Sequence, residues 1–235
     1  MPSVPSRSKH LPYKINPDQD RFAYYETLWK RVGLSLLLKH CPASGQTILD
    51  YGCGRGETVQ FYGEAGFHVT GTDVDPECVR MAGQFGTAVP LDPTNPLQQF
   101  GPRSFDIVTC FHVLEHVENP RQTLGALAKI ARRYLVLGVP NLRYLHQIAA
   151  RKFNLSHVNE GYLQAWDHLH FLNLAQNYCD LELIEWGSDA TLLPFISNLS
   201  QTLLGTRATI ALETGPFRWL FPYHCISVLG LFRVK

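Results

Sequence analysis

The chain has 235 residues, 45% of them hydrophobic and 17% charged, with a formal net charge of +1 at pH 7. That length and apolar content support a folded core and exclude a disordered or fibrous chain, and the near-zero balance excludes a broad polyanion-binding surface. Cys41, Cys53, Cys78, Cys110, Cys179 and Cys225 are scattered, with no CxxC pair or zinc-ligand spacing, and no apolar run reaches transmembrane length, so the chain reads as cytoplasmic with no membrane partner.

Residues 1–20, with Pro2, Pro5, Pro12 and Pro17, read as a flexible N-terminal arm ahead of one domain over 21–235. From residue 21 to 40, Phe22, Tyr25, Leu28, Val32 and Leu36 recur at three- and four-residue steps, which predicts a helix with a core-facing stripe. Ile48-Leu49-Asp50 is an apolar run ending in an acid. Gly52, Gly54 and Gly56 follow at alternate positions, as a turn needs where backbone must approach a ligand.

A helix over 57–65 and a strand over 67–73 come next, and Pro76 opens a helix to about residue 85. Residues 87–91 read as a weak edge strand, 92–102 as a loop and 105–111 as a buried strand. A helical turn over 112–117 and a helix over 120–133 precede a fifth strand at 134–139. Beyond it the pattern predicts a helix over 141–153, a loop rich in aromatics and histidines over 154–171, a helix over 172–180 and a strand over 181–186. An apolar insertion at about 192–221, with an amphipathic helix at 192–205, reads most simply as a lid or a packing element, a membrane-surface role being disfavoured by its few basic residues; a final strand spans 225–234. The alternation of strand and helix predicts βαβ units, hence an α/β fold with a mostly parallel sheet.

Ligands of such sheets bind at the carboxyl ends of the strands, where Asp50, Asp73, Asp92 and Phe111-His112 fall. The acid ending the second strand suits a pair of ribose hydroxyls. Asp50 before the glycines and Glu57 after them would repel a pyrophosphate and suit the cationic amino and sulfonium groups of S-adenosylmethionine.

Leu49-Asp50-Tyr51-Gly52-Cys53-Gly54-Arg55-Gly56, Val69-Thr70-Gly71-Thr72-Asp73-Val74-Asp75-Pro76, Phe105-Asp106-Ile107-Val108 and Val113-Leu114-Glu115-His116-Val117 closely resemble the class I S-adenosylmethionine-dependent methyltransferases, over roughly residues 45–142. The resemblance implies a Rossmann-like seven-stranded sheet of order 3-2-1-4-5-7-6 with the last strand antiparallel. It implies that Gly52 and Gly54 lie against the methionine part of the cofactor, that Asp73 binds ribose, and that Val74 and Asp92 flank adenine. Asp50, Cys53 and Phe111 complete the expected cofactor set.

His112-Val113-Leu114-Glu115-His116 matches the H-x-x-E-H pattern of inverted zinc proteases, but it sits at a strand end rather than on a long helix. Ubiquinone-pathway O-methyltransferases and small-RNA 2′-O-methyltransferases are similar here, with Glu-x-x-Glu-His holding a divalent metal. His112 replaces the first acid, so His112, Glu115 and His116 are metal candidates of a softer kind, and a packed structural turn is the favoured reading. His112 is the first candidate for a general base. His168 and His170 in Trp166-Asp167-His168-Leu169-His170-Phe171 come next, sharing one side if that segment is extended. Tyr24, Tyr25 and Tyr144 are candidates to close the pocket.

Arg132-Arg133-Tyr134 and Val139-Pro140-Asn141 also resemble methionine-biosynthesis methyltransferase-like proteins. The expected function is methyl transfer from S-adenosylmethionine to a small-molecule acceptor, most simply at oxygen. The alternatives are a cofactor-binding accessory partner of another enzyme, or an RNA or other macromolecular methyltransferase, for which the expected basic appended domain is not seen.

Overall fold

The computed structural model describes residues 21–145 and 161–235. The arm expected over 1–20, most of the helix expected over 141–153 and the first part of the loop expected over 154–171 lie outside the described residues. Helix α1 (Arg21–His40), β1 (Thr47–Tyr51), α2 (Glu57–Glu64), β2 (His68–Asp73), α3 (Pro76–Ala82), β3 (Thr87–Pro90) and α4 (Pro96–Phe100) lead to β4 (Phe105–Phe111). A 3₁₀ turn (Leu114–His116), α5 (Pro120–Ile130), β5 (Ala131–Pro140), α6 (His168–Tyr178), β6 (Leu181–Gly187), α7 (Ile196–Thr214), α8 (Pro216–Leu220) and β7 (Ser227–Val234) follow.

The strands pair in the order β3-β2-β1-β4-β5-β7-β6. β7 runs antiparallel to both its neighbours and the other pairings are parallel, the expected arrangement. Side chains of a strand alternate between faces, so the central strands feed two cores. Leu49, Val108, Leu135 and Leu137 pack with Leu124 and Leu127 of α5 and Phe171 of α6. Ile48, Ile107 and Val136 pack on the other face with Leu36 and Leu37 of α1 and Val59 and Tyr62 of α2.

Three elements depart from the sequence expectation, each through a cap or a bend. The expected loop at 92–102 holds α4, whose N-cap Asn95 accepts from the Gln98 N–H with Pro96 in the first turn. Helix α6 starts at His168 because the Asp167 carboxylate accepts from the His170 N–H at 2.9 Å. His168 and His170 are therefore helical and stand about 200° apart around the axis, not on one side. The insertion extends to an α7 bent at Gly205 (φ 79°), followed by α8, and the last strand begins at Ser227.

Helix α7 turns its polar side inward. Ser197, Ser200, Thr209 and Glu213 are buried and Ile210 packs with Leu192 and Tyr25, whereas Leu199, Leu203 and Leu204 are exposed. The inward face is held by α1. Arg21 Nη1 lies 3.2 Å from Glu213 Oε1 and 3.3 Å from the Ser197 carbonyl, and the Tyr25 hydroxyl donates to Glu213 Oε2. Burial and the Glu213 carboxylate push the Tyr25 hydroxyl well above its ordinary pKa.

Breaking one partner of a buried pair strands the other, whereas replacing the whole set with apolar side chains does not. Arg21→Met is expected to cost about 3–5 kcal/mol in denaturant unfolding, and Arg21→Met/Tyr25→Phe/Glu213→Leu to recover most of it. A single variant as stable as the parent would show that the pair does not hold α7 to α1.

Candidate active site

The carboxyl ends of β1, β2 and β4 open onto a cleft of about 1330 Å³, with Trp29 and Lys30 of α1 and Gln122 and Gly125 of α5 on its other walls. Asp50, Gly52, Cys53, Gly54, Asp73, Val74 and Phe111 of the expected cofactor set line it. Asp92 does not. Its carboxylate turns back on its own loop, accepting from the Thr94 hydroxyl at 2.6 Å and the Thr94 N–H at 2.9 Å, which hold it below the usual carboxylate range. Leu91 and Pro93 face the cleft at that edge instead.

The register of β1 and β4 sets Asp50 beside Thr109. The Thr109 hydroxyl donates to Asp50 Oδ1 at 2.6 Å and Thr58 stands beside the carboxyl, while among the described residues buried Asp50 Oδ2 meets no donor in hydrogen-bond geometry. Burial pushes this carboxyl up to about 6, against the Thr109 hydrogen bond and the charge of Lys30. Next to it the glycine turn is built on close approach. Gly52 has φ +77°, and a Cβ there would stand 2.2 Å from Val113 Cγ2. At Gly54 (φ +52°) a Cβ would meet nothing within 4 Å, so this position leaves open space, and its N–H donates to Asp73 Oδ2 at 2.9 Å. Asp73 Oδ1 accepts from the Asp75 N–H at 3.0 Å. Glu57, expected as a bare acid at the helix mouth, is engaged by Lys30 Nζ at 2.8 Å. Discrimination against a pyrophosphate therefore rests on Asp50 and Asp73.

His112 ends β4 with φ +54°, in the left-handed region that costs a non-glycine residue about 1–3 kcal/mol. Three contacts hold it there. Its N–H donates to the Gly138 carbonyl at 2.8 Å, its Nε2 lies 3.1 Å from Ser227 Oγ, and its ring stacks on Trp29 at 4.3 Å between centroids. Burial first, then the charges of Lys30 and His116, push its pKa down to about 3, so it is unprotonated at neutral pH. Behind it, Glu115 is fully buried, neither carboxylate oxygen has a hydrogen-bond partner among the described residues, and burial raises it to about 7. Its Oε1 lies 3.7 Å from His112 Nδ1 and 4.0 Å from His116 Nε2, while His116 Nδ1 meets the Gly161 carbonyl at 2.9 Å. The metal candidates of the sequence thus converge on one carboxyl, but among the described residues no group of three His, Cys, Asp or Glu is placed to hold a metal ion.

Neither of the other histidines expected as a base lines this cleft. His168 is buried against Trp186 and Tyr223, and burial lowers it to about 4. His170 is exposed and its Nδ1 meets Asp167 Oδ1 at 2.9 Å, beside the cap of α6. Tyr24, Tyr25 and Tyr144 pack in a separate cluster with Leu28, Leu192 and Ile210 rather than over the cleft. Sequence reasoning missed Trp29, Lys30 and Ser227. Trp29 does continue the α1 stripe, four residues after Tyr25 and three before Val32. Ser227 gives no local signal; the β5–β7 register, which pairs it with Pro140, brings it to His112.

A family model described as a methyltransferase domain matches residues 21–184. A ubiquinone biosynthesis O-methyltransferase of Albidiferax ferrireducens is 34% identical over 100 residues, 39% of each chain. One of Pseudoalteromonas translucida is 32% identical over 155 residues, covering 61% of this chain and 62% of that one. The matches thus span less than two thirds of these relatives' lengths. Magnesium protoporphyrin IX methyltransferase of Synechocystis, solved with bound S-adenosylhomocysteine, superposes with a TM-score of 0.62 at 18% identity, covering 94% of this chain and 89% of that chain.

Because the folded-state pKa of Asp50 lies above its unfolded value of 3.8, the folded protein binds the extra proton, and stability falls as pH rises from about 4 to 6. Asp50→Asn keeps an acceptor for Thr109 and removes that loss. The ligand-free variant is expected to exceed the parent at pH 8 by on the order of 3 kcal/mol in urea unfolding, with the difference vanishing at pH 4. A gap that did not depend on pH would sink the assignment.

Proposed function

The chain belongs to the methyltransferase-domain family, and we propose that it transfers a methyl group from S-adenosylmethionine to an oxygen of a small-molecule acceptor. One observation carries the reading. A buried carboxyl with a bare oxygen, Asp50, and a strained, unprotonated histidine, His112, stand in one cleft at the ends of adjacent strands.

The residues present fit that cofactor. A bare oxygen on a buried carboxylate calls for a cationic donor, which an α-amino group supplies. Asp73 has lone pairs left for ribose hydroxyls beyond the backbone N–H groups it already accepts. The space at Gly54 leaves room for a ligand against the backbone. The bound cofactor supplies a methyl group on a sulfonium, already activated for in-line displacement. The protein's part is placement, exclusion of water and handling of one proton.

That proton favours an oxygen acceptor, because a hydroxyl must lose it as the new bond forms. With Nε2–H donated to Ser227, the Nδ1 lone pair of His112 takes the proton. The imidazolium so formed is balanced by the carboxylate of Glu115, whose Oε1 lies 3.7 Å from Nδ1. The similarity to two ubiquinone biosynthesis O-methyltransferases supports the oxygen assignment. All six cysteines are free, which supports a reducing, cytoplasmic setting.

A labelled-methyl screen against metabolite extracts, with and without added magnesium, tests the activity. Once an acceptor is found, His112→Ala should lower kcat roughly 10²- to 10⁴-fold, with His168→Ala and His170→Ala near the parent. The kcat/KM of the parent should rise with pH through a limb near 7, and Glu115→Gln should remove that limb without changing cofactor affinity. Unchanged turnover in His112→Ala would dismiss the base. Tight cofactor binding with no transfer from any extract would favour the accessory-partner reading.

A further inference from the structure

The insertion between β6 and β7 is built inside out. Phe195, Ile196, Leu199 and Leu203 recur at three- and four-residue steps and so share one side of the first arm of α7. That side faces away from the protein, with Phe195 71% and Leu203 70% exposed. The opposite side carries Ser197 and Ser200, buried in a network of hydroxyls. The Ser200 hydroxyl donates to the Ser197 carbonyl at 2.9 Å, and Thr209 Oγ1 lies 3.1 Å from Ser200 Oγ. Beyond α7 the exposed apolar surface continues with Trp219, 80% exposed, then Leu220 and Tyr223.

We propose that this face docks on the surface of a phospholipid bilayer. A helix in water buries its leucines and exposes its serines; here the order is reversed, which is the arrangement a helix adopts when its outer solvent is lipid. The charges agree. Between residues 188 and 224 the carboxylates are Asp189 and Glu213, both buried, while the arginines, Arg207 and Arg218, are exposed or half-exposed. The segment thus presents no exposed carboxylate to repel an anionic headgroup region. Trp219 and Tyr223 are the side-chain types that settle at the lipid–water boundary. The bend at Gly205 ends the first arm, which therefore runs in a direction of its own.

No helix among the described residues is long and apolar enough to cross a membrane, so the contact is peripheral. It revises the sequence expectation of no membrane partner. The insertion is also fixed to the ligand end of the sheet. Asn141, just after β5, donates from Nδ2 to the Tyr223 carbonyl at 3.1 Å and the Cys225 carbonyl at 2.8 Å. Docking would therefore turn the carboxyl ends of the strands towards the bilayer.

Flotation of the full chain with phosphatidylcholine vesicles, with and without phosphatidylglycerol, tests this. The parent should float with both, more completely with phosphatidylglycerol. Leu199→Ser/Leu203→Ser/Trp219→Ser should lower partitioning roughly tenfold or more while keeping the parent's circular dichroism and cofactor affinity. Tryptophan emission should shift to the blue on adding vesicles, and the shift should shrink in Trp219→Phe. A parent that stays at the bottom of the gradient with both vesicles, or a triple variant that floats like the parent, would overturn the proposal. So would a dimer in sedimentation velocity that the triple variant abolishes with no vesicle binding by the parent, since the face would then belong to a second copy.

Discussion

A carboxyl group buried at the end of a central strand, with one oxygen left bare, is the constraint on which the candidate site depends. Asp50 is only partly satisfied by the described residues: Thr109 reaches one oxygen from the neighbouring strand, Thr58 stands beside the carboxyl, and the other oxygen meets no donor in hydrogen-bond geometry. A core position that keeps such a group gives up stability, and proteins do so where a ligand supplies the missing partner. The surroundings follow from that need. The glycine turn brings backbone close, Asp73 ties the turn to β2, and Lys30 neutralises Glu57 at the mouth of α2.

The second feature is proton handling on β4. His112 is held in a strained backbone by a carbonyl, a hydroxyl and an indole ring, which come from β5, β7 and α1. Helix α1 thus serves two sites. Its middle supplies Trp29 and Lys30 to the cleft, and its start supplies Arg21 and Tyr25 to the buried face of α7. One helix thus contacts both the cleft and the insertion.

Much of this was legible in the sequence because it is written locally. The strand that ends in Asp50, the glycines after it and Asp73 one strand later are short-range patterns, and these residues line one cleft. Asp92 turns from the cleft because an acid in a turn prefers its own backbone and the Thr94 hydroxyl two residues on. His168 and His170 do not share a side because Asp167 caps a helix there, and a period of two became one of 3.6. Ser227 and Glu213 were beyond reach, since each meets its partner across more than a hundred residues of chain. The insertion was read as apolar and amphipathic, which it is, but periodicity does not say which side faces in.

The most direct test of the account is the proton balance of cofactor binding. Calorimetric titration with S-adenosylmethionine at pH 6, in buffers of different ionisation enthalpy, should show release of about half a proton, as a half-protonated Asp50 ionises against a cationic amino group. Binding heats that do not change with the buffer, or no binding at all, would contradict the claim that this carboxyl is the cofactor's anchor.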